Sequence, residues 1–104
     1  GYERGKQREI MKDNRLIAEF MGVPSYKSTK YTMFVYEEDN HRADVDLHYH
    51  TSWDWLMPVI SKCYQEHNRD AYFMQHNKHL LESIKNCDID KAHQIVVGFI
   101  NQNN

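Results

Sequence analysis

Apolar and polar residues alternate without a fault from Ala43 to His50. Ala43, Val45, Leu47 and Tyr49 fall on one side; Asp44, Asp46, His48 and His50 fall on the other. That period of two predicts a strand with one buried and one wet face. The period then changes. Trp53, Leu56, Met57, Ile60, Cys63 and Tyr64 recur at helical spacing and predict an apolar helical stripe. Thr51 is the expected N-cap, and Asp54 three residues on resembles a capping box. Pro58 inside this pattern removes a backbone bond and crowds the preceding turn, so a kinked helix is expected, with a break near Leu56 as the lesser alternative.

The same reading places the remaining elements. Leu16, Ile17, Phe20 and Met21 define a first helix from about Asp13 to Met21, capped by Asp13 or Asn14 and closed by Gly22 and Pro24. Residues 22–30 read as a loop rich in Pro, Ser and Lys. Tyr31–Tyr36 is rich in β-branched and aromatic residues and predicts a strand with two fairly apolar faces, hence central or covered on both sides. Glu37–Arg42 reads as the turn between the strands. Residues 65–70 are polar and end the helix. Ala71–Met74 is open between a third strand and a helical turn, with a short helix from Asn77 through Leu80, Leu81 and Ile84. Asp88 caps a last helix whose Ile89, Ala92, His93, Val96, Val97 and Ile100 make a regular amphipathic series. The expected fold class is α+β: a small antiparallel sheet of two to three strands packed against three to four helices, in one domain over residues 1–104.

Three blocks carry a family resemblance: Asn14–Gly22 (NRLIAEFMG), Tyr49–Val59 around Ser52-Trp53-Asp54-Trp55-Leu56-Met57-Pro58, and Asp88–Lys91 with Val96–Ile100. Together they resemble a group of small bacterial and phage proteins that share a LIAEFMG…SWDWLMPV…AVVEFI layout, itself similar to the phage ABA sandwich domain. The resemblance covers most of residues 14–101, and the SWDWLMP block is its most specific part. It implies helices packed on a small antiparallel sheet. The group carries no agreed activity, so no catalytic residue transfers. Gly98 stands where the layout commonly has glutamate, a difference that touches helix propensity.

Composition narrows the class. The chain has 104 residues, of which 40% are hydrophobic, and no apolar run approaches the roughly 18 residues of a membrane helix. A chain of this size buries roughly 65% of its unfolded surface, enough for a modest core. The first residues lack the apolar stretch of a signal peptide, so the cytoplasm is the expected location. Gly1 reads as a remnant ahead of a natural start at Met11, and residues 1–11 as a flexible arm, an upstream extension or the first turns of helix one. Cys63 and Cys87 both fall in helical patterns and read as buried reduced thiols. Residues 1–30 hold seven Lys/Arg against four Asp/Glu; the rest hold six against eleven. That acidic remainder argues against a general nucleic-acid clamp and leaves the basic first segment as the place for any weak phosphate contact.

Candidate chemistry concentrates on the polar side of the expected strand. Residues at i and i+2 on a strand lie about 6.5–7 Å apart on one face, so His48 and His50 could reach one divalent metal with Asp46 completing the set and Asp44 or His41 nearby. An imidazole beside a carboxylate could equally serve acid–base work. The competing reading is a solvated strand face. His76 and His79 form a weaker pair, and His67 and His93 read as surface and boundary histidines. Ser52 lacks a nucleophile elbow, four glycines leave little room for a dinucleotide fingerprint, and GVPSYKSTK is not a P-loop. Trp55 sits about 200° round the helix from Trp53, so it packs on a second element or anchors a partner, as Tyr36 could. The reading that results is a non-enzymatic accessory protein of phage or mobile-element type with no cofactor, acting through an unknown protein partner or as a homo-oligomer. A metal or acid–base site on Asp44/Asp46/His48/His50 is the alternative.

Overall fold

The antiparallel ladder begins earlier in the chain than the alternation predicts, and it stops earlier. In the computed structural model, which describes residues 2–37, 39–67 and 71–102, the order is α1 (Tyr2–Phe20), β1 (Ser25–Lys27), β2 (Thr32–Tyr36), β3 (Asn40–Ala43), a 3₁₀ turn (Asp44–Asp46), α2 (Trp53–His67), α3 (Ala71–Lys85) and α4 (Ile89–Gln102). Three antiparallel strands in the order β1-β2-β3, with four α-helices among the described residues, make an α+β protein. The chain divides into two compact units, Gly1–Leu47 and His48–Asn104.

In the first unit, α1 takes in the polar segment ahead of Asp13. Residues 3–12 are mostly good helix formers, and Met11, Asn14, Ile17 and Ala18 keep the spacing of one helical side. Asp13 and Asn14 are therefore mid-helix residues rather than caps. The end of the helix is as expected. Gly22, at φ +76°, donates to the Glu19 carbonyl at 3.0 Å, and Val23 donates to the Ala18 carbonyl at 3.0 Å. This is the paired closure that needs a left-handed residue, which glycine supplies without a Cβ penalty.

The stretch read as a loop holds β1. The Ser28 N–H donates to the Tyr31 carbonyl at 2.8 Å and the Val35 N–H to the Pro24 carbonyl at 2.9 Å, so Thr29 and Lys30 turn the chain straight into β2. A strand of three exposed residues is too short to display a period, which is why the pattern misses it. β2 is central, as expected, with Tyr26 opposite Met33 and Met33 opposite Ala43. Phe34 is fully buried on one face of the sheet.

The strand expected over residues 43–50 ends at Ala43, and this is the main correction. Beyond it, alternation inverts: Asp44 is buried and Val45 is 47% exposed. Two contacts from α1 account for it. The Arg15 guanidinium lies 3.5 Å from Asp44 Oδ2, and Asn14 Nδ2 donates to the Leu47 carbonyl at 3.2 Å. Pulled in at both ends, residues 44–46 close into a 3₁₀ turn with three residues per turn. The period of two fails there because a carboxylate is held inward by a cation on a neighbouring helix.

In the second unit α2 runs through Pro58 as one helix, without a break near Leu56. Ser52, not Thr51, precedes it: the Ser52 carbonyl accepts from Leu56 N–H at 3.0 Å, while Thr51 N–H donates back to His48 in a turn. Leu56, Val59, Ile60 and Cys63 are buried; Met57, expected on the stripe, faces outward. Residues 71–85 form one helix, which settles the open reading of Ala71–Met74. An aromatic seam joins the three helices. Tyr64 meets Phe73 edge-on at 4.8 Å, Phe73 meets Phe99 at 5.6 Å, and the Tyr64 hydroxyl donates to Asn77 Oδ1. Edge-to-face rings add roughly 0.5–1.5 kcal/mol beyond the area they bury.

The α3–α4 corner consists of Asn86, Cys87 and Asp88. Cys87 takes the left-handed conformation at φ 57° and donates to the Ile84 carbonyl at 3.1 Å. Asp88 N–H donates to the Ser83 carbonyl at 2.7 Å; its Oδ1 accepts from Lys91 N–H at 3.2 Å and its carbonyl from Ala92 N–H at 3.1 Å. The expected cap of α4 is thus in place, and the same residue finishes α3. Cys87, expected to be buried, is exposed at this corner, whereas Cys63 is buried as expected.

Candidate functional site

The predicted site presupposed a straight strand, and its members are distributed differently. Asp44 and Asp46 belong to the 3₁₀ turn of the first unit. Asp44 is buried beside Arg15, and its Oδ1 has no hydrogen-bond partner among the described residues. Asp46 is exposed. His41 lies on β3, where its Nδ1 meets the Tyr26 hydroxyl at 2.9 Å and its ring meets the Tyr26 ring at 5.7 Å. His48 and His50 lie in the turn that leads into α2.

That turn gathers a different set. The Thr51 and Ser52 N–H groups both donate to the His48 carbonyl, at 3.1 and 2.9 Å, which folds residues 48–52 back on themselves. Trp55, one turn into α2, then receives the His48 ring at 5.4 Å and the buried Tyr49 ring at 5.2 Å, both edge-on. Trp55 is half-buried, so its ring is engaged within the unit on the segment that precedes its own helix. Tyr36 is half-buried on β2. His50 turns toward α4, its ring 6.1 Å from that of His93.

His93, expected with His67 to be a surface or boundary histidine, lies deeper than that. It is buried on the inner side of α4. The available signal was its position: it follows Ile89 by four residues on the apolar series. Burial pushes its imidazole from 6.5 down to about 4; His50 adds to the effect and Asp90 opposes it. His50 is also lowered, first by burial, then by His48, with Asp90 again opposing. Imidazoles held neutral in this way accept hydrogen bonds and ligate metals, but a base of such low affinity for a proton is weak at neutral pH.

The other candidates offer less. His76 and His79 have ring centroids 6.3 Å apart, and the Tyr72 ring lies 4.2 Å from that of His76. Burial raises the Cys63 thiol to about 12, the wrong direction for a nucleophile. The side chain of His67 lies outside the described residues. Among the described residues, no three or more His, Cys, Asp and Glu side chains are grouped to hold a metal ion, and no helix is long and apolar enough to cross a membrane.

The outer face of the sheet is the other feature the sequence did not disclose. Odd-numbered residues of β2 share the face opposite Phe34, and pairing adds Tyr26 from β1 and His41 and Ala43 from β3. Tyr26 is 46% and Tyr31 45% exposed; Met33 and Val35 between them are half-buried. The Tyr26–His41 hydrogen bond spans β2 from one edge strand to the other. No protein family, curated protein or solved structure matches the chain.

Proposed function

We propose that the chain is a small non-enzymatic accessory protein, of the phage or mobile-element type its sequence resembles, and that it acts by self-association. The outer sheet face carries this reading. It places Tyr26, Met33 and Val35 together, with Tyr31 immediately before β2, and none of its paired residues is Lys, Arg, Asp or Glu; His41 is its one imidazole. An interface between two copies related by a two-fold axis must meet itself, and a face free of fixed charge does so without like charges opposed. Two such faces stack at about 10 Å, the ordinary spacing of packed sheets. Tyrosine suits the task because it combines apolar area with a polar tip. Sedimentation equilibrium tests the reading. A mass that rises with concentration in the native chain and falls to the monomer value in a Tyr31→Asp variant supports it. A strict monomer throughout the range overturns it.

The His50–His93 pair supports a second reading, in which the expected metal site is centred on these two imidazoles in place of the Asp46/His48/His50 set. Two neutral imidazoles suit a borderline divalent ion such as zinc or nickel. Calorimetric titration of tag-free protein with either ion tests this. Heat lost in a His50→Ala/His93→Gln variant supports the reading, and equal heats from both proteins remove it.

A further inference from the structure

His50 and His93 bring two imidazoles together at the start of α4, with ring centroids 6.1 Å apart. Two imidazoles on one tetrahedral zinc ion have their ring centres about 5 Å apart, given the ordinary zinc–nitrogen bond, so a small adjustment brings the pair onto one ion. Two neutral ligands are nevertheless a poor seat for a cation at this place. His93 lies one turn into α4, and the N-terminal end of a helix carries partial positive charge. An ion held there needs a carboxylate.

Asp90 is the carboxylate positioned to supply it. It precedes His93 by three residues on α4, so the two share a side of the helix, and a helical side chain leans back over the turn before its own. An acidic residue and a histidine at that spacing form the chelating pair of helical carboxylate metal centres. The Asp90 charge also opposes the downward displacement of both imidazoles, so it acts on each ring. The neighbouring acid, Asp88, is committed to the Lys91 N–H at 3.2 Å, and the His48 ring is committed to Trp55. As they stand, His50, His93 and Asp90 are not gathered as a metal-holding group. Asp90 is exposed and neither hydrogen-bonded nor ion-paired among the described residues, so turning it toward the rings breaks no contact. We propose, on the basis of the two-imidazole reading, that Asp90 is the third ligand of a zinc-type divalent ion held by His50 and His93, with the fourth position left to water.

Calorimetric titration of the tag-free full chain with a zinc salt tests the inference. Every protein compared carries Cys87→Ser, because an exposed thiol binds zinc by itself. Asp90→Asn weakens zinc binding at least about tenfold. The ratio persists from low salt to about 1 M, since a direct bond to the ion is not screened. Asp90 is at an exposed position, and circular dichroism confirms that the helices of the variant persist. Equal affinity in Asp90→Asn overturns the inference and leaves the two-imidazole reading standing. A loss present at low salt and gone at high salt also overturns it, since the carboxylate then acts only through space. Zinc heat that survives intact in His50→Ala/His93→Gln, or no heat from the protein that keeps all three residues, removes that reading and the inference with it.

Discussion

Cys87 stands in a conformation that L residues rarely adopt, at the position where α1 has Gly22. Both residues close a helix by the same pair of backbone bonds, but only glycine does so without crowding its own Cβ. Cys87→Gly is therefore expected to stabilise the protein by about 0.5–1 kcal/mol, net of the extra freedom glycine gains in the unfolded chain. Urea unfolding monitored by circular dichroism measures this, and a loss of stability would contradict it. The same position shows what a sequence withholds about single residues. Asp88 was readable as a cap because its spacing to the apolar series is local. Cys87 was not readable as exposed, because a helical pattern does not announce where its last turn becomes left-handed. Asp44 escaped for a different reason: it is buried by Arg15, twenty-nine positions earlier in the chain, and no local period encodes such a partner.

At the scale of elements, helices were more legible than strands. β2, α2 and α4 were visible because their apolar residues repeat over several turns or a full alternation. The sheet was misread at both edges, where β1 has three residues and β3 four. Strand pairing is non-local, and the turn that follows β3 is imposed by α1. Packing between α3 and α4 gives a test at this scale. A Cβ added at Gly98 would lie 3.1 Å from Tyr72 Cζ and closer still to its hydroxyl. Gly98→Ala should gain about 1 kcal/mol of helix propensity in a Tyr72→Ala background. In the native background that gain should be cancelled or reversed, because the Tyr72 ring must leave its place beside His76. The double-mutant cycle should show a coupling of roughly 0.5–3 kcal/mol; additive effects would mean the ring moves freely. Gly98 thus has a packing role that propensity alone would not suggest.

For the molecule as a whole, the buried histidine governs the response to acid. His93 is held at about 4 in the folded chain against 6.5 ordinarily, so the unfolded chain takes up the proton first as pH falls. Stability is then fully present above about pH 6.5 and declines as pH drops toward 4, by on the order of 2–3 kcal/mol for this residue. His50, lowered in the same direction, adds to the decline. Midpoints of urea unfolding across pH 4–8 should show this slope, and His93→Gln should flatten it; an unchanged slope would place the acid sensitivity elsewhere. The candidate cluster was half legible. His48 and His50 were singled out for sharing a strand face, whereas proximity to His93 comes from a turn and a helix that meet only in the folded chain.

The corner between α3 and α4 also sets a limit on engineering. Asp88 terminates one helix with its N–H and starts the next with its carboxylate and carbonyl. One residue inserted after Cys87 would divide those duties between two positions, leaving one helix end open whichever way the chain settled. An epitope, a fluorophore-bearing loop or a permuted terminus grafted at this corner would therefore loosen both helices at once, although its residues lie at the surface.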